Sequence, residues 1–179
     1  MAEIGARPVR ARMPFRSCVG VALFNAQGEV FIGRRKGGQG PEYDSARLEW
    51  QMPQGGIDGN EAAFVAAKRE LYEETNVRSA VLLGEAPVWY HYDLPDEALG
   101  KALQGKYRGQ TQKWYAFRFT GDEREINVLH PAGGAHSAEF VEWRWERLER
   151  LPALIVPFKR PVYEAVVAAF SAFAQSADT

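Results

Sequence analysis

Cysteine is almost absent from this sequence: Cys18 is the single one in 179 residues, so no intramolecular disulfide can form and a disulfide-stapled scaffold is excluded. Cys18 lies in the apolar run Cys18 to Phe24 and reads as a small buried strand residue. No stretch approaches the ~20 consecutive apolar residues that a membrane-spanning helix needs. Arg7, Arg10 and Arg12 are not followed by the apolar segment that a secretory signal carries, and a cytoplasmic protein is the expectation. Charge of one sign is not in excess either. With a formal net charge of −1, the chain as a whole throws no strong field at nucleic acid or membrane. Affinity for phosphates has to come from local groups such as Arg34, Arg35 and Lys36, or Lys159 and Arg160. Histidine is scarce. His130 and His136 flank a glycine-containing loop without a third ligand at zinc spacing and read as ordinary loop residues; His91, among Trp89, Tyr90 and Tyr92, reads as a packed or edge residue.

What is present suits one compact core. A hydrophobic fraction of 46% with five Trp and ten Phe argues against disorder over most of the length. A chain of this size buries roughly 70% of its unfolded surface. Residues 1–12 hold Gly5, Pro8 and several charges without an apolar period and are expected to form a flexible arm; 13–172 read as a single domain and 173–179 as a tail. Ser17 to Phe24 predicts a buried strand, Asn25 to Gly28 a turn and Glu29 to Gly33 a return strand, together a hairpin. Glycine and proline make 36–49 a loop and give 89–110 a mobile character, and both are expected to shape the mouth of a site. Ala80 to Val88, Lys113 to Phe119 and Glu139 to Trp145 predict further strands, and Phe158 to Ala174 a closing helix. Trp143 and Trp145 alternate with polar residues, so one face of their strand is core. No internal repeat or linker separates two cores. Strands interrupted by two helices predict an α+β protein in which helices pack against a mixed sheet.

The most regular helical stretch runs from Asn60 to Glu74, with no internal Gly or Pro and with Asn60 as its expected N-cap. At about 100° per residue, Glu70, Glu73 and Glu74 share one face while Phe64, Ala67 and Leu71 share another. An isolated Glu-x-x-Glu-Glu is ordinarily a solvated face, because like-charge pairs on an exposed helix cost only about 0.2–0.5 kcal/mol each. The surrounding spacing changes that reading. Gly55 is followed after five residues by Glu61, after seven more by Arg69-Glu70, and then by Leu71, Glu73, Glu74, Asn76 and Val77. This order resembles the Nudix box, G-x5-E-x7-R-E-U-x-E-E-x-G-U with U aliphatic, at every defined position except the last glycine, which is Asn76. Asparagine is the next most tolerant residue where a helix end turns left-handed.

The resemblance implies the Nudix fold, a mixed β-sheet between helices (α/β/α). It also implies a hydrolase of phosphoanhydride bonds that uses Mg²⁺, with Mn²⁺ or another divalent cation able to substitute. Such hard ions take oxygen ligands and bridge carboxylates to phosphates. Glu70, Glu73, Glu74 and the carbonyl of Gly55 would bind metal, and Arg69 with Glu61 would brace the box as a salt bridge or stand as two exposed charges. Beyond the box, Trp50 to Ile57, Gln110 to Tyr115, Glu139 to Trp145 and Pro157 to Arg160 look like a bacterial branch of RNA pyrophosphohydrolases and dinucleoside tetraphosphate hydrolases. Carried over, Glu139 completes the metal site and activates or positions water, Arg16 and Arg35 face phosphates, and Phe158 stacks on a base beside Lys159. For Phe158 a core role at a helix start stays open, and for Arg35 a solvated charge. The implied substrates are 5′-triphosphorylated RNA or a dinucleoside polyphosphate, with small nucleoside diphosphate derivatives such as ADP-ribose as a lesser alternative. A 5′-phosphate-binding module without turnover is a third reading. No membrane and no stable protein partner are implied.

Overall fold

The structure, a computed structural model, describes residues 10–36 and 50–176. In chain order the regular elements are β1 (Phe15–Phe24), β2 (Val30–Arg35), β3 (Trp50–Gln51), β4 (Gln54–Gly56), α1 (Ala63–Thr75), β5 (Ala80–Glu85), β6 (Tyr90–Asp93), β7 (Gly109–Phe119), β8 (Phe140–Glu146) and α2 (Arg160–Phe170). β1 is the hub. It runs parallel to β7 from Phe15 opposite Gly109 to Phe24 opposite Arg118, and its other edge is shared by β4 and β2.

The continuous apolar run of β1 is what a strand covered on both faces requires. Val19, Val21 and Leu23 point to a core with Ala66, Ala67 and Leu71 of α1, while Ala22 and Phe24 point to a core with Tyr163, Val166 and Phe170 of α2. The expected α/β/α sandwich follows from that alternation. Small residues let the layers close. The indole of Trp114 lies where a Cβ on Gly20 would be, so this glycine sets the approach of β7 side chains to β1.

The expected hairpin survives only at its closing end. Asn25 Oδ1 accepts from the N–H groups of Gln27 at 3.1 Å and Glu29 at 2.9 Å, and Gly28 takes a φ of 80°. Phe24 then pairs with Val30, after which β4 takes the edge of β1 through Gly20, Val19 and Cys18. The expected cap at Asn60 is a correction. The helix starts at Ala63 after Ala62, which caps nothing with its side chain. Asp58 and Glu61 close a turn before it, with Glu61 N donating to Asp58 O at 2.8 Å, and Asn60 is left exposed in that turn. The segment from 89 to 110 is not loop throughout, since β6 pairs with β7 from Tyr90 opposite Gln112 to Asp93 opposite Gly109. The closing helix is divided, with 3-10 turns at Pro157–Lys159 and Ser171–Ala174 on either side of α2.

Residues 1–9 and 177–179, and 37–49 of the expected loop at 36–49, lie outside the described residues. Arg10 donates to Leu94 O at 2.7 Å and Asp96 Oδ1 at 2.6 Å, and the Phe173 ring packs on Phe24 at 6.4 Å. No helix among the described residues is long and apolar enough to cross a membrane.

Between β3, which pairs with β2, and β4, the chain is tied to α2 by one buried bond, from Met52 N to the hydroxyl of Tyr163 at 2.8 Å. Tyr163→Phe leaves that N–H without a partner and is expected to cost about 1–3 kcal/mol, read as a lower urea midpoint at unchanged slope. An unchanged midpoint would show that this bond does not hold the segment.

Candidate active site

β4 brings Gly55 opposite Val19 and Gly56 opposite Cys18, and α1 packs across it. The carboxyl group of Glu70 rests directly on Gly55, where a Cβ would overlap it, and the guanidinium of Arg16 covers Gly56 in the same way. A Cβ at either position would push that charged side-chain end away from β4.

Arg69 organises the acidic residues around this strand. Its Nε and Nη2 donate to the Glu61 carboxylate, each at 2.8 Å, and Nη2 also donates to Gly56 O at 2.8 Å. Its Nη1 donates to Glu70 Oε1 at 2.9 Å and Glu73 Oε2 at 3.0 Å. The planar fork suits this two-point grip on one carboxylate. Of the two readings of Arg69 and Glu61, the structure selects the brace. The hydrogen bond from Arg69 holds the Glu61 carboxyl below its ordinary range.

The remaining carboxylates are under-compensated. Burial pushes Glu70 from about 4.5 up to about 7 despite Arg69. Glu74, itself buried, is pushed well above the usual carboxylate range, first by burial and then by the charges of Glu70 and Glu139. A bond from Gln54 N at 3.3 Å and the charge of Arg35 offset this only in part. An all-oxygen donor set with surplus negative charge fits a hard divalent cation. Among the described residues, no three His, Cys, Asp or Glu side chains stand as close as one ion requires; Glu70 and Glu73 are instead turned to Arg69.

The other predicted residues border this group. Arg35, at the end of β2, places Nε 3.8 Å from Glu139 Oε1 with a side chain only 14% exposed, which disfavours the solvated-charge reading. The backbone there is tied as well, Lys36 N donating to Glu139 O at 2.9 Å. Phe158 is half-buried, its ring 5.5 Å from that of Tyr92. Lys159 is buried, with Nζ 5.6 Å from the Tyr92 ring and 5.8 Å from the Phe158 ring. Arg16, Glu70 and Lys159 all act on the thiol of Cys18, which burial pushes up to about 11. These charges therefore surround the same stretch of β1.

Sequence reasoning missed three contributors. Gln112 donates to Gln54 Oε1 at 2.8 Å and Gln110 Oε1 at 2.9 Å and accepts from Trp114 Nε1 at 3.0 Å, a buried ladder behind β4 whose signal was the period-two spacing of 110, 112 and 114. His136, read as a plain loop residue, lies 3.4 Å from Glu73 Oε1. Asn76, expected as a left-handed helix end and found as one, also bonds Glu125 O and Gly133 N through its side chain, for which there is no local sequence signal.

Residues 14–166 match the family model described as NUDIX domain. The chain belongs to the Nudix family. Nudix hydrolases generally need divalent cations, and the chain is a Nudix pyrophosphohydrolase. It is 58% identical over 162 residues to a protein of Azorhizobium caulinodans named RNA pyrophosphohydrolase, covering 90% of this chain and 95% of that one. A relative of the same name from Bradyrhizobium diazoefficiens is 60% identical over 163 residues, covering 91% and 96%. Among solved structures, the E. coli dihydroneopterin triphosphate pyrophosphohydrolase superposes with a TM-score of 0.60 at 17% identity, covering 87% of this chain and 98% of that one. A C. elegans Ap4A hydrolase complex does so with 0.57 at 16% identity, covering 88% and 98%. At such identities these two establish the Nudix fold.

Glu70 binds its proton more tightly folded than unfolded, so folding is favoured while it is protonated and that advantage is lost as pH rises from about 4.5 through about 7. The cation-free protein is therefore expected to melt at lower temperature at pH 8 than at pH 5.5, and Glu70→Gln to flatten the dependence. A melting temperature that rises over this interval in the parent and falls in the variant would contradict the assignment.

Proposed function

We propose that this Nudix pyrophosphohydrolase removes pyrophosphate from the 5′ end of triphosphorylated RNA, using Mg²⁺ or Mn²⁺, in a cytoplasmic setting. The observation that carries the reading is the surplus of buried carboxylate on α1, with Arg16 against Gly56 and Arg35 against Glu139, in a chain whose Phe158 and Tyr92 rings lie together beside Lys159. The printed names of the rhizobial relatives support it. A dinucleoside tetraphosphate presents the same polyphosphate beside a base, and the half-buried Phe158 ring would stack on either. We therefore hold asymmetric cleavage of such dinucleotides as a second activity of the same site.

Glu70, Glu73, Glu74, Glu139 and the carbonyl of Gly55 would hold the cation. When bound, it supplies charge neutralisation to the polyphosphate and acidifies water. Glu139, the most exposed of the four carboxylates, takes the proton of the attacking water or positions that water. Arg16 and Arg35 grip phosphate oxygens through paired N–H donors. Phe158 stacks on the first base, and Lys159 beneath it adds positive charge. Arg69 keeps Glu70 and Glu73 on one side of β4. The retained set of four carboxylates argues against a module that binds 5′ phosphate without turnover.

Incubating the protein with Mg²⁺ and either substrate at fixed salt is expected to yield pyrophosphate and 5′-monophosphorylated RNA, and a nucleoside triphosphate with a monophosphate from the dinucleotide. Product from neither would overturn the reading. Glu73→Gln is expected to lower kcat on the order of 10²-fold or more with the circular dichroism spectrum intact; a lost fold would count against a role in chemistry. Phe158→Ala should remove about 1–3 kcal/mol of base stacking, a KM rise of about 5- to 150-fold. Unchanged KM on both substrates would return Phe158 to the core.

A further inference from the structure

Asn76 closes α1 where the Nudix pattern has glycine. Its φ of 70° and ψ of 5° are left-handed, and its N–H donates to Tyr72 O. Glycine would satisfy that geometry at least as well, so the backbone gives no reason for a side chain here. The side chain is bonded at both ends. Its Oδ1 accepts from Gly133 N at 2.9 Å, and its Nδ2 donates to Glu125 O at 2.9 Å.

The segment it grips leads to the site. Ala132, Gly133 and Gly134 have successive positive φ values of 54°, 64° and 88°, a turn that no β-ladder supports and that the amide of Asn76 ties from outside. The chain then passes His136, 3.4 Å from Glu73, and reaches Glu139 at the edge of β8. The path to Glu139 is thus pinned twice on α1, first by Asn76 and then by the His136 contact.

We infer that Asn76 is a positioning residue, which fixes the segment from Ala132 to Glu139 on the end of α1 and so sets where the Glu139 carboxylate stands relative to Glu70, Glu73 and Glu74. This rests on the reading of Glu139 as the group that handles the attacking water. A glycine at position 76 leaves that register to the loop itself. Misplacement of a catalytic group by ~1 Å costs up to ~10²-fold in rate, whereas two partly exposed hydrogen bonds add only modestly to the stability of the whole fold.

The test compares kcat and KM on 5′-triphosphorylated RNA at saturating Mg²⁺. Asn76→Gly keeps the left-handed turn and is expected to lower kcat about tenfold with KM unchanged within about twofold, in a protein that still melts cooperatively. Asn76→Asp keeps the acceptor for Gly133 N and is expected to retain kcat within about threefold. In a Glu139→Gln background, Asn76→Gly should lower the residual rate by less than about twofold, since a residue acting through Glu139 has nothing left to position. The inference is overturned if Asn76→Gly leaves kcat at the parent value, if the loss falls on KM, or if the same factor appears in both backgrounds. A fully active Glu139→Gln overturns the reading of Glu139 beneath it, whereas a slow Glu139→Gln beside a fully active Asn76→Gly overturns this inference alone.

Discussion

One guanidinium serves more carboxylates than it can neutralise, and the architecture around β4 follows from that. Arg69 spends its donors on Glu61, Glu70, Glu73 and the carbonyl of Gly56. Glu74 is left buried beside Glu70 with a backbone N–H from Gln54. Burying a carboxylate without a full charge partner is costly and shifts its proton affinity upward instead. In the proposed reading, a bound divalent cation would take the place of those protons and relieve that cost.

Every layer contributes to holding it. Ala66, Ala67 and Leu71 seat α1 on Val19, Val21 and Leu23 of β1, a small-residue face that lets the acidic side come down onto Gly55. A fully buried leucine such as Leu71 adds about 1.5–3 kcal/mol to that seating. Behind β4, the ladder of Trp114, Gln112 and Gln54 satisfies polar groups that would otherwise be stranded between sheet and helix. Arg16 enters from the start of β1 against Gly56 and Arg35 from the end of β2 against Glu139, so the cationic groups stand at the border of the anionic ones.

Much of this was legible in order and spacing. The two-sided burial of β1, the acidic face of α1 and the box from Gly55 to Val77 are local patterns, and the sandwich follows from them. What escaped was decided by partners distant in sequence. Asn60 has the residue type of a cap, but Glu61 is drawn to Arg69 and the helix starts later. Tyr90 to Asp93 sit between Pro87 and Pro95 and read as loop, yet they pair with β7. The amide of Asn76 finds its partners 49 and 57 residues away, and His136 meets Glu73 only because the loop before β8 folds back over α1.

The account stands or falls on whether the carboxylate surplus of α1 takes up divalent cations. The most direct measurement is a Mn²⁺ titration of the metal-free protein at pH 8, following free Mn²⁺ by its electron paramagnetic resonance signal. Saturable uptake that is lost or strongly weakened in Glu74→Gln is the predicted result. Uptake that does not saturate, or that is identical in the parent and the variant, would contradict it.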